Sequence, residues 1–191
     1  MPTQSKIALI TFFVFMILFL KGCTLPSWNT EFLKEDAEKI DARIDVAISQ
    51  LFEKHPNLEE LGYKSAGVLI MPLITEAGLM YGGSYGRGAL RVNNETVDYY
   101  SATTAGIGYQ IGAQQYGHIL FFMTQQSLDN FQNSEGWSLR GEAEYTVPEN
   151  AENLRAETWL TATPVVAIVF GQAGLKYGIS LEGTKYKRIT P

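Results

Sequence analysis

Cysteine is almost missing from this sequence: Cys23 is the only one in 191 residues, and histidine occurs only twice, as His55 and His118. A lone cysteine excludes an internal disulfide and a thiolate metal cage, since each needs at least a pair of sulfurs. The two histidines are far apart, the Asp and Glu residues are scattered, and no ligand spacing emerges, so neither a metal nor a cofactor is expected. Cations are also in deficit, with 15 Lys and Arg against 20 Asp and Glu and a net charge of −5. Nucleic-acid binding depends on basic surface that displaces counterions from phosphates, and this balance argues against it. The sequence contains no internal repeat and no low-complexity tract.

A membrane-spanning run is lacking too. Ile7 to Leu20 is continuously apolar except for Thr11, but Lys21 and Gly22 stop it, well short of the roughly 20 apolar residues that cross a bilayer. Behind the single cation of MPTQSK, it has the length of a signal-peptide apolar region. It ends in Leu20-Lys21-Gly22-Cys23, which resembles a bacterial lipobox: Leu at −3, a small residue at −1, then the cysteine that receives diacylglycerol. Lys21 departs from the pattern, which has a small or apolar residue there. The expectation is a signal peptide over residues 1–22, lipidation of Cys23 with palmitate-type chains, and a tether over 23–30. Two or three acyl chains anchor a protein without spanning the membrane. Thr24 stands where Asp would favour the inner membrane, so the expected location is the bacterial envelope, at the outer membrane facing the periplasm. Losing Lys6 and Lys21 with the leader leaves 13 basic against 20 acidic residues, a net −7. The remaining 169 residues suit one domain, which buries about two-thirds of the surface its unfolded chain exposes.

Past the tether, Phe32, Leu33, Ala37, Ile40, Ile44, Ala47, Ile48, Leu51 and Phe52 recur at three- and four-residue steps among Glu35, Asp36, Glu38, Asp41 and Asp45. This predicts an amphipathic helix over 31–55, ended by His55-Pro56. Beyond Leu61 the period drops to two and glycine becomes dense, so a β-rich part is expected over 63–189. Trp137 to Val147 and Leu175 to Leu181 alternate apolar and polar residues, whereas Val165 to Phe170 is apolar throughout and reads as a strand covered on both faces. Val92-Asn93-Asn94-Glu95-Thr96 reads as a hairpin, because Asn tolerates left-handed backbone. Thr124 is placed to cap a short helix in QQSLDNFQNS.

Three features bear on chemistry. Gly82-Gly83-Ser84-Tyr85-Gly86 matches the G-x-S-x-G of a nucleophile elbow, with His118 and Asp98 available to a triad. An elbow turns from strand into helix, however, and the stretch after Ser84 is glycine-broken and alternating. A serine hydrolase is therefore disfavoured, and no catalytic residue is assigned. Gly106, Gly108 and Gly112 miss the dinucleotide fingerprint by one residue and have no helix pattern after them. Between Tyr99 and Ala113 odd positions carry Tyr99, Ala105, Ile107, Tyr109 and Ile111 while even ones carry Ala102, Thr104, Gly106, Gly108 and Gly112, a nearly bare face that would let a backbone or the helix come close, or let a strand coil. The last feature is cationic: Lys185, Lys187 and Arg188 cluster near the C-terminus.

Read together, Ser65-Ala66-Gly67-Val68-Leu69-Ile70-Met71-Pro72, Ala77-Gly78-Leu79 through Gly82 to Gly88, Gly112-Ala113-Gln114, Phe121-Phe122-Met123-Thr124, and Phe170-Gly171 through Gly174-Leu175 to Ser180-Leu181-Glu182-Gly183 resemble the SYLF domain. That family includes eukaryotic phosphoinositide-binding actin regulators and bacterial envelope proteins. The resemblance implies a non-enzymatic, lipid-binding domain over residues 31–191. The fold expected is α+β, with a long N-terminal amphipathic helix packed on a mostly antiparallel, glycine-rich, β-barrel-like sheet containing one short inserted helix. Membrane phospholipid is the expected partner, with Arg87, Arg91, Lys185, Lys187 and Arg188 as headgroup contacts. The alternative is a structural envelope protein that binds a protein partner through the acidic helix or the glycine face. Actin has no place in a bacterial envelope and is not expected.

Overall fold

The computed structural model describes residues 30–78, 81–107, 112–138, 145–146, 163–171, 174–175 and 181–191. Contacts divide the chain into Met1–Leu33 and Lys34–Pro191. The expected signal peptide, Cys23 and nearly all of the expected tether lie outside the described residues, as does most of the alternation in 139–147 and 176–180. Apart from the first residues of one helix, every described element belongs to the second unit.

Three helices and nine strands are described, and the fold is α+β. The long helix α1 runs from Thr30 to Lys54, and Pro56–Lys64 forms a second helix, α2. Proline breaks α1 because it clashes with the preceding turn, and the same residue then starts α2 at its first turn, where no N–H is needed. The periodicity announced only α1. Nine residues with Leu58 and Leu61 buried are too short a repeat to stand out.

The strands are β1 (Gly67–Gly78), β2 (Tyr81–Val92), β3 (Glu95–Ile107), β4 (Gly112–Phe122), β5 (Trp137–Ser138), β6 (Tyr145–Thr146), β7 (Val165–Gly171), β8 (Gly174–Leu175) and β9 (Lys185–Ile189), with helix α3 (Gln125–Asn133) between β4 and β5. They form one sheet in the order β5-β9-β3-β2-β1-β4-β7-β6, and β8 also pairs with β7. Every pairing is antiparallel except β6 with β7. Asn93 and Asn94, at φ 51° and 66°, make the two-residue turn between β2 and β3, the left-handed pair that a tight hairpin requires. Thr124 caps α3: its Oγ1 accepts from the Ser127 N–H at 3.1 Å, and the Ser127 hydroxyl sits 3.4 Å from the Thr124 N–H.

The sheet curls strongly. From β9 to β4 is four strand spacings, about 19 Å if the sheet were flat. Yet the Tyr186 hydroxyl of β9 lies 2.8 Å from Nε2 of His118 on β4. The inner face therefore encloses one core, in which Leu69, Met71, Leu90, Tyr100, Leu120, Phe122, Val165, Ala167 and Val169 meet Leu128 and Phe131 of α3, Trp137 and Tyr186. The outer face carries a second core, where Ile40, Ile44, Leu51, Leu58 and Leu61 of α1 and α2 cover Ile70, Ala89, Ile119, Phe121, Val166 and Ile168. The continuously apolar β7 belongs to both, and its six residues Val165 to Phe170 are all buried.

Glycine permits the curl at its tightest place. A Cβ on Gly88 would stand 2.0 Å from the Ile70 carbonyl oxygen, and one on Gly86 would stand 2.5 Å from that of Leu73, so the inner face of β2 is bare where β1 crowds it. The crowding comes from a bulge. Register jumps from Ile70 to Leu73 against β2 and from Met71 to Ile74 against β4, which adds one residue to β1. Pro72 sits in that irregularity, the one kind of place where an interior strand accepts a residue without an N–H.

Candidate functional site

Helix α1 is organised in three stripes. Ile40, Ile44 and Leu51, with Ala47, Ile48 and Phe52 partly buried beside them, face the sheet. At 100° per residue, Asp41 and Asp45 fall on one flank of that stripe, and Arg43, Ala47, Gln50 and Lys54 align along the other.

The acidic flank docks on β2. Arg91, with only 11% of its side chain exposed, places Nη2 at 2.7 Å from Asp45 Oδ1 and 3.8 Å from Asp41 Oδ1. Asp41 also accepts from the Thr96 hydroxyl at 2.8 Å and the Tyr99 hydroxyl at 2.7 Å. Burial, then the bond to the Asp41 carboxylate, pushes the Tyr99 phenol up to about 12, so it remains a donor. Nearer the start of α1, Arg87 Nη1 lies 2.9 Å from Asp36 Oδ2, and this bond holds the Asp36 carboxyl below its ordinary value.

The five cations singled out in the sequence do not converge. Arg87 and Arg91 are engaged in holding α1. Arg188 belongs to the inner side, beside α3, where it reaches Asp98 at 3.1 Å, the Gln132 carbonyl at 3.0 Å and the Tyr100 hydroxyl at 3.4 Å. Lys185 and Lys187 are exposed on the outer face. Cross-strand register aligns Lys187 with Ser101 and Arg87, and Lys185 with Thr103 and Tyr85. With Tyr85 55% exposed, these lysines make a small patch of cation and aromatic ring that is open to solvent.

The other flank of α1 borders a groove that the sequence did not announce. It has a volume of about 900 Å³, and its wall of α1 residues runs from Ala42 through Val46 and Ala47 to Lys54. The β1 bulge puts Pro72 and Leu73 into its floor, with Tyr116, Gly117 and Phe170 beside them. Gly117 is fixed by this packing, because a Cβ there would meet the Phe170 ring at 2.4 Å and the Pro72 carbonyl at 2.9 Å. Two large apolar side chains stay wet at its border, Val46 at 59% and Leu73 at 40% exposure. The legible signals were a proline inside a strand pattern and the 43, 47, 50, 54 spacing; the depth of the groove depends on the bulge.

Inside the curl, His118 is fully buried, and burial drives its pKa down to about 3, so the ring is neutral. Its Nε2 bonds Tyr186, while Nδ1 has no partner. Ser84 lies in the middle of β2, paired with Thr104 and Glu76, with its side chain beside the Tyr116 hydroxyl. Asp98 is engaged with Arg188. These residues therefore form no triad, and Ser84 is not on a strand-to-helix turn. Among the described residues no group of three or more His, Cys, Asp and Glu could hold a metal ion, and no helix is long and apolar enough to cross a membrane.

An α+β domain with a curled antiparallel sheet, a long helix across its outer face and a short helix against its inner core is the class these elements define. Residues 103–189, from β3 to β9, match the family model of Ysc84, described as a Las17-binding protein actin regulator. A match over this part of the chain supports the likeness to the SYLF family. Helices α1 and α2 and strands β1 and β2 precede the matched segment, and β2 pairs with β3 to continue the same sheet. No curated protein matches the chain.

Proposed function

We propose that this chain is a non-enzymatic, lipid-anchored protein of the bacterial envelope whose SYLF domain lies against a phospholipid surface. The observation that carries the reading is Cys23 placed directly after a short apolar run and Gly22. Residues 1–22 are the leader, Cys23 the acylated N-terminus, and 24–30 the tether; Thr24 directs the protein to the outer membrane, facing the periplasm. Two or more acyl chains supply the anchoring, so the domain needs only weak surface affinity of its own. Lys185, Lys187 and Tyr85 are the headgroup contacts that agree best with this reading, since Arg87, Arg91 and Arg188 are occupied by protein partners. Las17 and actin belong to the family description and are not carried over to an envelope protein.

A protein partner taken by the acidic helix is less well supported. Asp36, Asp41 and Asp45 are spent on β2, and Ala102, on the bare face between Tyr99 and Ala113, is packed in the inner core. Mass spectrometry of the mature N-terminus tests the anchor: a diacylated or triacylated Cys23 is expected, and an intact Met1 or an unmodified cysteine sinks it. The core residues among those described lie within Lys34–Pro191, so a chain starting at Thr24 keeps both cores. Flotation of that chain with phosphatidylglycerol vesicles is expected, weakened several-fold in the Lys185→Glu, Lys187→Glu double variant. Failure to float removes the surface reading.

A further inference from the structure

We infer that the groove beside α1 holds one acyl chain of an anionic phospholipid, an inference that rests on the membrane-surface reading above and gives it a site. The volume, about 900 Å³, falls among small-molecule sites, which are mostly apolar with a few polar groups at their borders. Ala42, Val46, Ala47, Leu51, Leu73 and Phe170 supply the apolar wall. Leaving Val46 and Leu73 in water together is a cost that an apolar occupant removes.

The chemistry of the occupant follows from two further features. First, the strand residues at the middle of the groove already have ladder partners: Leu73 pairs with Arg87 of β2, and Gly117 and Phe170 pair with each other. A peptide lying on them would bury N–H and C=O groups that these residues cannot pair, whereas an acyl chain has none to satisfy. Second, the charge at the border is positive in an otherwise acidic domain. Arg43 and Lys54 stand at the two ends of the stripe on α1; Arg43 interacts electrostatically with Asp36, whose carboxylate is bonded to Arg87, so both cations keep their charge at the border. They are about 16 Å apart along the helix. A chain lying along the stripe places its phosphate beside a cation at whichever end it leaves the groove. Asp41 and Asp45, which would repel a phosphate, are on the opposite flank and neutralised by Arg91.

The test uses the full chain in phosphatidylcholine vesicles doped with phosphatidylglycerol that carries a photoactivatable diazirine at the end of one acyl chain, with crosslinked peptides located by mass spectrometry. Adducts are expected in the α1 segment 42–54 and at residues 72–73 and 170–171. The Ala42→Trp, Val46→Trp double variant changes exposed helix positions and fills the groove; it should cut those adducts at least tenfold while the circular dichroism spectrum and thermal midpoint stay as they were. Arg43→Glu with Lys54→Glu should abolish the preference for labelled phosphatidylglycerol over equally labelled phosphatidylcholine. Adducts confined to the Tyr85, Lys185 and Lys187 side, or unchanged in the filled variant, overturn the groove. Equal labelling by the two lipids in the wild-type chain overturns the anionic specificity. If the chain from Thr24 floats but no groove adduct forms, the groove alone is wrong; if it neither floats nor is labelled, the surface reading fails with it.

Discussion

The two faces of the sheet are closed in different ways. The inner face is sealed by aromatic rings in mutual contact, with Phe131 4.7 Å from Tyr100, 4.8 Å from Phe122 and 5.2 Å from Trp137. The outer face is covered by a helix whose apolar stripe is flanked by ion pairs on one side and by a gap on the other. One face is thus committed to stability, and the other has surface left over for function. A single strand can serve both faces because successive side chains point to opposite sides.

The largest effect should come from the inner face. Phe131→Ala leaves a cavity among three rings and is expected to cost about 3–5 kcal/mol, read as a shift in the urea midpoint. A comparable loss from Val46→Ala on the outer face would break the contrast.

Acid should separate the faces next. The folded-state pKa of His118, about 3, lies below its unfolded value of 6.5, so the unfolded chain takes up this proton first. Stability is fully present above pH 6.5 and falls as the pH drops through 6.5 towards 3. Between pH 6.5 and 5, above the range in which ordinary carboxylates titrate, the slope should flatten in His118→Gln, which can still bond Tyr186. An unchanged slope in denaturation profiles across that window would remove His118 as its source.

Smaller losses are expected at the borders. Arg91→Met removes the pairing with Asp41 and Asp45 and should cost about 1 kcal/mol, less at high salt because these carboxylates are partly exposed. Denaturation at two ionic strengths checks it, and a salt-independent loss would make the effect one of packing. Thr124→Ala removes the cap of α3 and should cost about 1 kcal/mol, measured the same way. A loss much larger than this would mean that the cap also sets how Phe131 enters the inner core.

Much of this arrangement was legible in the sequence. The helix ended at a proline, the two asparagines marked a hairpin, a threonine opened α3, and the apolar run of β7 announced burial on both sides, because each depends on local stereochemistry or period. What could not be read depends on register. The cations on β2 were visible, but their pairing with Asp36, Asp41 and Asp45 joins positions about 50 residues apart and follows from how a helix lies on a sheet. The bulge is similar: Pro72 signalled an irregularity, but only the pairing shows which face its neighbours take. The bare face read between Tyr99 and Ala113 was expected to let a backbone or the helix come close; the close backbone approach lies instead on β2, at Gly86 and Gly88, and the helix takes the outer face.

The place of β9 in the sheet also sets a schedule. This strand, last in chain order, lies between β3 and β5 and carries the tyrosine that bonds His118 across the curl. Neither the far edge of β3 nor the aromatic core around α3 can be completed until residues 185–189 arrive. Contacts of such long sequence separation form late and slowly. Closure of the curl therefore waits until nearly all of the domain is available, and a chain cut short before residue 185 would leave the edge of β3 and the inner core open.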